Sequence, residues 1–351
     1  MILAGDIGGT KTYLALYDWK ENRVEPTRKE DFYNSDFESF EEILSEFFEP
    51  HEDQSDLDET EDEPDVDSPT KADAGGDEPI EAACFGVAGP IIDNRCRATN
   101  IPWSFDGQKL AQHFNIPKVQ LLNDVETMAH GVLTLQPEET KLLNGQPQQS
   151  GTKVLVAPGT GLGEAIIYWD GNHFHPMPTE GGHASFAPTS DIEIDLLRYI
   201  RTSFLHVNVE RVLSGDGLHT IYQFLRDTKK NEPTWFAELI PTGDPPTLIV
   251  EAALNGKPDI CVQALDLFLS ILGAEAGNLA LKTLALGGVY LGGGIVPHIM
   301  QALKGERFVQ SFIAKGRHKR LLSSIPIHAI LNDQAGLLGA ASVAARIANT
   351  P

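Results

Sequence analysis

The chain has 351 residues, of which 41% are hydrophobic and 22% are charged, and its formal net charge is -23. This length exceeds that of most single domains, so we expect two domains with substantial cores. The composition is typical of a soluble globular protein. The acidic balance argues against a nucleic-acid partner, because no basic surface is available to neutralise phosphates.

The sequence contains no feature that directs it to a membrane or to an oxidising compartment. No basic segment precedes the first apolar run, so we expect no signal peptide. The longest apolar region, residues 265–291, carries charged side chains and several glycines, and we interpret it as a buried helix and strand. Cys84, Cys96 and Cys261 show no C-x-x-C spacing and fit a reducing cytoplasm.

The chain opens with an apolar run that ends at Asp6, reverses over Gly8, Gly9 and Thr10, and continues as a β-branched and aromatic run. This pattern predicts a hairpin of two strands. Glycines at its tip can adopt positive φ and let backbone N–H groups approach a phosphate. Asp6 would then need a divalent cation between itself and the phosphate, bound through water. An ordinary Gly-Gly hairpin turn is the alternative.

A second unit of the same kind opens the other half of the chain. Residues 154–158 lead into Gly159-Thr160-Gly161-Leu162-Gly163, and residues 164–169 lead away as a strand. Two such units suggest two related α/β halves that face each other across a cleft. Neither unit is a Rossmann fingerprint or a P-loop, because a strand-like run follows where those motifs require a helix.

In the first half, residues 23–33 predict a third strand and residues 37–47 an amphipathic helix. Residues 49–78 hold fourteen acidic residues against one lysine, which places 13 of the 23 net negative charges there. We interpret this segment as a disordered loop inserted into the first domain. A docking or calcium-binding segment is the alternative.

Residues 119–122 predict a strand that ends at Asn123 and Asp124, where a helix to Val132 begins. Ligands in open α/β sheets bind at the carboxyl ends of strands, so an Asp at this place would point into the cleft. A helix N-cap is the alternative role for these two residues.

In the second half, a glycine-hinged loop carries Glu180 and His183, which suit hydrogen bonding to the hydroxyls of a polar ligand. No third ligand lies at the spacing that a zinc site needs, so we discount a metal site. Residues 192–203 and 207–214 predict helices, the latter with Glu210, and residues 227–257 look irregular.

The remaining pattern predicts a long helix over residues 260–284, in which Gly273 and Gly277 permit close packing on a neighbour. A strand then meets Gly292-Gly293-Gly294, where a ring or ribose could approach the backbone closely. A strand over residues 325–331 and a helix over residues 334–348 end the pattern.

Together these stretches resemble the bacterial glucokinases of the hexokinase, heat-shock chaperone and actin superfamily. The similar motifs are Gly5-Asp6-Ile7-Gly8-Gly9-Thr10, Leu122-Asn123-Asp124, Gly159-Thr160-Gly161-Leu162-Gly163, Glu180-Gly181-Gly182-His183, Glu210-Arg211-Val212-Leu213-Ser214-Gly215 and Gly292-Gly293-Gly294-Ile295-Val296. The zinc-binding cysteine cluster of the ROK sugar kinases is missing after Gly182-His183, which favours the non-ROK branch. The acidic segment is longer than the family pattern needs.

The resemblance implies an α/β fold of two lobes with duplicated actin-like (ribonuclease H-like) architecture and a nucleotide and sugar cleft between them. We expect a small α/β domain over residues 1–134 and a large one over residues 135–333. The last helix, within residues 334–351, would pack back on the small domain.

The resemblance also implies transfer of the ATP γ-phosphoryl group to the 6-hydroxyl of glucose, with Mg²⁺ held by Asp6 through water. Asp124 would be the catalytic base. The implied sugar ligands are Asn100, Asn123, Glu180, His183 and Glu210. The implied ATP-binding residues are Gly5, Asp6, Ile7, Gly8, Gly9, Thr10, Gly159, Thr160, Gly161, Gly163, Gly292, Gly293 and Gly294.

We further expect closure of the two halves to exclude water, a cytoplasmic location, no membrane partner, and a chain able to form a homodimer. Three alternatives remain open at this point: a kinase for another hexose, an actin-like or chaperone-like ATPase, and a non-catalytic sugar sensor. Glucose-dependent production of ADP separates the kinase from the other two classes.

Overall fold

A computed structural model of the chain describes residues 1–20, 23–49, 79–148 and 150–350. Apart from Glu49, the acidic segment 49–78 lies outside the described residues, and so does the prediction made for it. The described part of the chain forms two compact units. The first comprises Met1–Thr134 with Gln334–Pro351, and the second comprises Leu135–Asp333.

The strands are β1 (Ile2–Ile7), β2 (Lys11–Lys20), β3 (Arg23–Tyr33), β4 (Ala82–Val87), β5 (Arg95–Arg97), β6 (Ser104–Asp106), β7 (Val119–Asn123), β8 (Thr140–Asn144), β9 (Lys153–Pro158), β10 (Leu162–Trp169), β11 (Phe174–Thr179), β12 (Gly288–Leu291) and β13 (Ile327–Ile330). The α-helices are α1 (Phe40–Phe48), α2 (Gly107–His113), α3 (Asp124–Val132), α4 (Asp191–Ile200), α5 (Gly215–Lys229), α6 (Thr234–Leu239), α7 (Pro245–Leu254), α8 (Asp259–Thr283), α9 (Ile295–His298), α10 (Met300–Leu303), α11 (Glu306–Ile313), α12 (Lys319–Ser324) and α13 (Ala335–Ala348).

The first unit is built on a five-stranded sheet in the order β3-β2-β1-β4-β7. The pairs β3–β2 and β2–β1 are antiparallel, whereas the pairs β1–β4 and β4–β7 are parallel. Alternate residues of β1 point to opposite faces, as strand geometry requires. Ile2 and Ala4 pack under α13, and Leu3 and Ile7 pack in the core that includes α1.

The second unit contains a six-stranded sheet in the order β11-β10-β9-β12-β13-β8. Its first five strands repeat the order and directions of the sheet in the first unit: an antiparallel meander joined to two parallel strands. The prediction of an α/β fold from two related strand-glycine-strand units is confirmed by this repetition, since β1 and β2 correspond to β9 and β10.

Helix α8 forms much of the core of the second unit. Among the described residues it is the one helix long and apolar enough to cross a membrane, but 78% of its most apolar 18-residue stretch is buried inside the protein. Gly273 and Gly277 lie against the backbone of α11, where a methyl group would approach Phe308 O to 2.2 Å and Phe312 O to 2.6 Å. The predicted close packing of these glycines is therefore confirmed.

Two of the predicted local structures are wrong. Residues 207–214 contain only a short 3₁₀ turn, Val209–Arg211, because Asn208 caps it and Ser214 already caps the start of α5. Residues 227–257 are not irregular, because α6 and α7 lie there. Asp244 caps α7 by accepting a hydrogen bond from Thr247 N, and Pro245 occupies its first position.

Candidate active site

The tip of the β1–β2 hairpin is the first glycine turn, Gly8 to Thr10. Gly8 N donates to Lys11 O at 2.9 Å. Asn34 braces the turn from outside, because its Nδ2 donates to Gly8 O at 2.9 Å and its backbone N donates to Thr10 O at 2.9 Å. The buried hydroxyl of Thr12 donates to Asn34 Oδ1 at 2.8 Å. Hydrogen bonds from Asn34 therefore hold the turn, while Gly9 and Thr10 at its tip are exposed.

The reason for glycine in this turn differs from the predicted one. Neither Gly8 nor Gly9 has positive φ. Instead, a side chain would be crowded here, because a methyl group at Gly9 would lie 3.3 Å from Asn100 Cβ and one at Gly8 would lie 3.2 Å from Lys11 O. This contact also brings Asn100, a predicted sugar ligand, beside the turn.

Asp6 and Asp124 lie at the same edge of the first sheet. Asp6 is near the end of β1 and Asp124 directly follows β7, and both strands run parallel to β4 between them. Burial and then the charge of Asp124 raise the pKa of Asp6 to about 7. A methyl group at Gly336 of α13 would lie 2.6 Å from Asp6 Oδ2. Close packing and a neighbouring carboxylate thus both disfavour the ionised form of Asp6.

The residues around Asp124 fix the start of α3. Asn123 is the N-cap, since its Oδ1 accepts from Val125 N at 3.0 Å, and its Nδ2 donates to Gly89 O at 3.2 Å. Burial raises the pKa of Glu126, and a hydrogen bond from the backbone of Asn123 opposes that effect. Asn123 therefore has the capping role that the sequence left as an alternative, and its role as a sugar ligand stays a prediction.

The second glycine turn, Gly159 to Gly163, joins β9 to β10. Gly159 N donates to Gly161 O at 2.8 Å, and Gly215 N at the start of α5 donates to Gly159 O at 2.9 Å. The Glu210 carboxylate reaches this turn as well. Its Oε2 accepts from Leu162 N at 2.9 Å, and a methyl group at Gly161 would lie only 2.5 Å from that oxygen.

The third glycine motif lies beside the second turn, because β12 pairs in parallel with β9. Gly292 N donates to Val156 O at 3.0 Å. Gly293 has φ +81°, and a methyl group there would lie 2.5 Å from Pro158 O, so glycine is required twice over. Nothing lies within 4 Å of the position that a methyl group at Gly294 would take.

The sugar loop, residues 179–183, places two predicted ligands next to Glu210. His183 Nδ1 lies 3.8 Å from Glu210 Oε1, and His183 Nε2 lies 3.7 Å from Glu180 Oε2. Asn208 Nδ2 lies 2.9 Å from His183 Nδ1. An amide NH₂ group only donates, so Nδ1 accepts and Nε2 carries the proton of the neutral ring. The three side chains are 72%, 55% and 31% exposed, in the order Glu180, His183, Glu210.

The structure thus groups the predicted residues by unit. The first unit holds residues 5–10, Asn100, Asn123 and Asp124, and the second holds both further glycine motifs with Glu180, His183 and Glu210. Sequence reasoning missed Asn34 and Asn208, which brace predicted site residues. Asn34 directly follows the predicted third strand, a position that could have indicated its contact with the hairpin tip.

A family model described as Glucokinase matches residues 3–347, nearly the whole chain. The chain belongs to the glucokinase family. Among curated proteins, the glucokinase of Nostoc punctiforme is 38% identical over 364 residues, which cover 99% of each chain. These matches confirm the predicted non-ROK bacterial branch. They assign to the chain the ATP-dependent phosphorylation of glucose, and so decide against an actin-like ATPase and a non-catalytic sugar sensor.

Solved glucokinase structures have the same fold. The enzyme from an Antarctic psychrotroph aligns with a TM-score of 0.80 at 27% identity and covers 98% of each chain. A glucokinase from Balamuthia mandrillaris, crystallised in complex with glucose, aligns with a TM-score of 0.73 at 20% identity over 98% of this chain and 93% of its own. The predicted actin-like, two-lobed fold class is confirmed by these glucokinases.

Proposed function

We propose that Asp124 is the general base of the glucokinase reaction and accepts the proton of the glucose 6-hydroxyl as that oxygen attacks the γ-phosphorus of ATP. The observation that carries this role is the position of Asp124 at the carboxyl edge of the sheet, within electrostatic range of Asp6. Phosphoryl transfer depends mainly on positioning and charge stabilisation, so one well-placed carboxylate is sufficient as the base. The hydrogen bond from Val125 N to Asn123 Oδ1 caps α3 at its first residue, Asp124, and so helps to hold this carboxylate in place.

Glucose specificity is proposed to come from several hydrogen-bonding side chains: Glu180, His183, Glu210, Asn100 and Asn123. The support is the cluster of Glu180, His183 and Glu210, in which His183 lies within 4 Å of both carboxylates. Sites built to bind hydroxyls reject analogues that lack them, because polar groups that the bound sugar covers are then left unpaired. The glucose complex of the Balamuthia mandrillaris relative supports glucose as the sugar.

The ATP phosphates are proposed to bind the two glycine turns, and the adenosine to bind beside Gly292, Gly293 and Gly294. The open space at Gly294 and its nearness to Gly159 support this arrangement, since a methyl group at Gly159 would lie 3.8 Å from Gly294 N. Backbone carbonyl groups of each turn accept hydrogen bonds from within the protein: Gly8 O and Thr10 O from Asn34, and Gly159 O from Gly215 N.

Asp6 is the proposed Mg²⁺ ligand, acting through water. The donor fits, because Mg²⁺ prefers oxygen ligands and is commonly bound by one or two carboxylates together with substrate phosphates. Among the described residues, groups of three or more His, Cys, Asp or Glu side chains that could hold a metal are absent. Mg²⁺ bound with ATP would neutralise phosphate charge, and a cation near Asp6 would favour the ionised carboxylate.

The test is a coupled assay of ADP production with a panel of hexoses and nucleoside triphosphates, with and without Mg²⁺. We expect ADP to form with glucose and ATP, and only when Mg²⁺ is present. A higher kcat/KM for another hexose would replace glucose as the substrate, and ADP production that does not depend on sugar would overturn the proposal.

The cytoplasmic location and the homodimer are also proposals. The described cysteines Cys84, Cys96 and Cys261 are free and buried, which suits a reducing compartment. Light scattering of the purified chain measures its oligomeric state directly.

A further inference from the structure

Glu164 is a buried carboxyl group that has no part in the proposed reaction. It lies in β10, directly after the second glycine turn, and is 2% exposed. Its partner across the sheet ladder is Thr179, the last residue of β11 and the first of the sugar loop. Glu164 is therefore placed between a proposed phosphate turn and the proposed sugar ligands.

Both the backbone and the side chain of Glu164 contact the sugar loop. Thr179 Oγ1 donates to Glu164 O at 2.9 Å and accepts from Gly181 N at 3.1 Å. A methyl group at Gly181 would lie 2.0 Å from Glu164 Oε2. The Glu164 carboxyl group therefore occupies the space that a side chain at position 181 would need, and it lies directly against the loop.

The surroundings of Glu164 disfavour its charge. Its Oε1 is buried and has no hydrogen-bond partner among the described residues, a costly arrangement for a carboxylate. Helix α8 contributes Glu275, which is 6% exposed and repels a second negative charge, and Lys282, whose Nζ lies 3.9 Å from Glu275 Oε1. Lys315, which follows α11, also interacts electrostatically with the Glu275 carboxylate. Burial and then Glu275 raise the pKa of Glu164 to about 7, against the opposite effect of Lys282.

We propose that Glu164 is a positioning residue for glucose binding: its uncharged side chain supports the sugar loop, and its ionisation beside Glu275 displaces Gly181 and weakens glucose affinity. Glu180 and His183 are the groups on the loop through which this displacement acts. This inference rests on the proposed function, because it requires the sugar loop to bind glucose.

The test is calorimetric titration of the full-length protein with glucose, without nucleotide, at pH 6, 7, 8 and 9. In the native protein we expect the Kd to be constant below about pH 7 and to rise about tenfold by pH 9, as for a group whose pKa differs by one unit between the free and bound states. Glu164→Gln is neutral at every pH and should keep the low Kd throughout. His183 is unchanged between the two proteins, so the comparison isolates the effect of the Glu164 carboxyl group.

Glu193→Gln is the matched control, because Glu193 is also a buried carboxyl of the second unit but is hydrogen-bonded by Thr189. It should keep the native pH dependence. An equal rise of Kd with pH in the native protein and in Glu164→Gln, or no rise in the native protein, overturns the inference. Failure of the native protein to bind glucose at any pH overturns the proposed function instead.

A second measurement keeps the inference testable even where Glu164→Gln folds poorly. Gly181→Ala should weaken glucose binding at pH 6 by about tenfold in the native background, because the new methyl group meets Glu164 Oε2. In a Glu164→Ala background the same change should cost much less affinity, since that oxygen is gone and the next contact is Thr179 Oγ1, at 3.1 Å. An equal loss of affinity in both backgrounds contradicts a contact between the two residues that controls the loop.

Discussion

The Glu210 carboxylate accepts a hydrogen bond from the backbone N–H of Leu162 at 2.9 Å, while its other oxygen lies 3.8 Å from His183 Nδ1. One side chain therefore contacts both the second glycine turn and the sugar loop. A proposed sugar ligand that also holds a proposed phosphate turn would affect both substrates. This dual contact distinguishes Glu210 from Glu180, whose carboxylate lies 3.7 Å from His183 Nε2 on the same loop.

We expect Glu210→Ala to weaken binding of an ATP analogue even when glucose is absent. A hydrogen bond to a charged group contributes about 1.5–3 kcal/mol, and partial loss of this effect through a loosened turn should raise the nucleotide Kd about 3- to 10-fold. Glu210→Gln keeps an oxygen acceptor for Leu162 N and should recover most of the affinity. Calorimetric titration with a non-hydrolysable ATP analogue measures both variants.

Glu180→Ala is the control for that experiment, because it removes a sugar ligand without touching the glycine turn. It should weaken glucose binding and leave the nucleotide Kd unchanged. If Glu210→Ala behaves like Glu180→Ala, Glu210 serves the sugar alone.

Gly293→Ala should both destabilise the protein and weaken ATP binding. The residue has φ +81°, and the added methyl group would lie 2.5 Å from Pro158 O, so the backbone must shift. The expected loss in the free energy of unfolding is about 1–3 kcal/mol, measured by urea denaturation. Gly294→Ala is the neighbouring control: it lacks positive φ and has open space, so its stability should stay close to that of the native protein. Equal losses in the two variants would show that the strain argument is wrong.

Glu164 should make stability fall as pH rises. Burial and then Glu275 raise its pKa from the ordinary value of 4.5 to about 7, so between these pH values the folded state holds a proton that the unfolded state has lost. The free energy of unfolding should therefore decrease by roughly 3 kcal/mol from pH 4.5 to pH 7 through this group, and then stay level. Glu164→Gln removes this contribution, so its stability relative to the native protein should rise over that interval. Urea denaturation at pH 5 and pH 7.5 measures the free energy of unfolding of both proteins. An equal change between the two pH values in the native protein and in Glu164→Gln would contradict the prediction.

Local patterns were sufficient for much of the fold. Alternating and β-branched runs predict the β1–β2 and β9–β10 hairpins, and the spacing of Phe40, Ile43, Leu44 and Phe47 predicts α1, because each depends on neighbours in the sequence. Capping residues explain the two errors: Asn208 and Ser214 break one predicted helix, and Asp244 begins α7 in a stretch interpreted as irregular.

The candidate site was harder to predict where it depends on distant contacts. Asn34 braces Gly8 across 26 residues of sequence, and Glu210 reaches Leu162 across 48. Nothing in the sequence around Glu164 indicates that it is buried below Gly181, because that position depends on how β10, β11 and α8 pack. The motif resemblance found the residues at the ends of strands, but not the side chains that hold them.

The role of Asp124 is tested most directly by Asp124→Asn, measured by single-turnover phosphorylation of glucose and by glucose titration of the same preparation. Loss of a general base should slow phosphoryl transfer by about 10²- to 10⁴-fold, while the Kd for glucose changes less than about threefold. Asp191→Asn is the control, because Asp191 is likewise the first residue of a helix, α4, and should leave the rate unchanged. A single-turnover rate for Asp124→Asn within tenfold of the native rate would contradict the account.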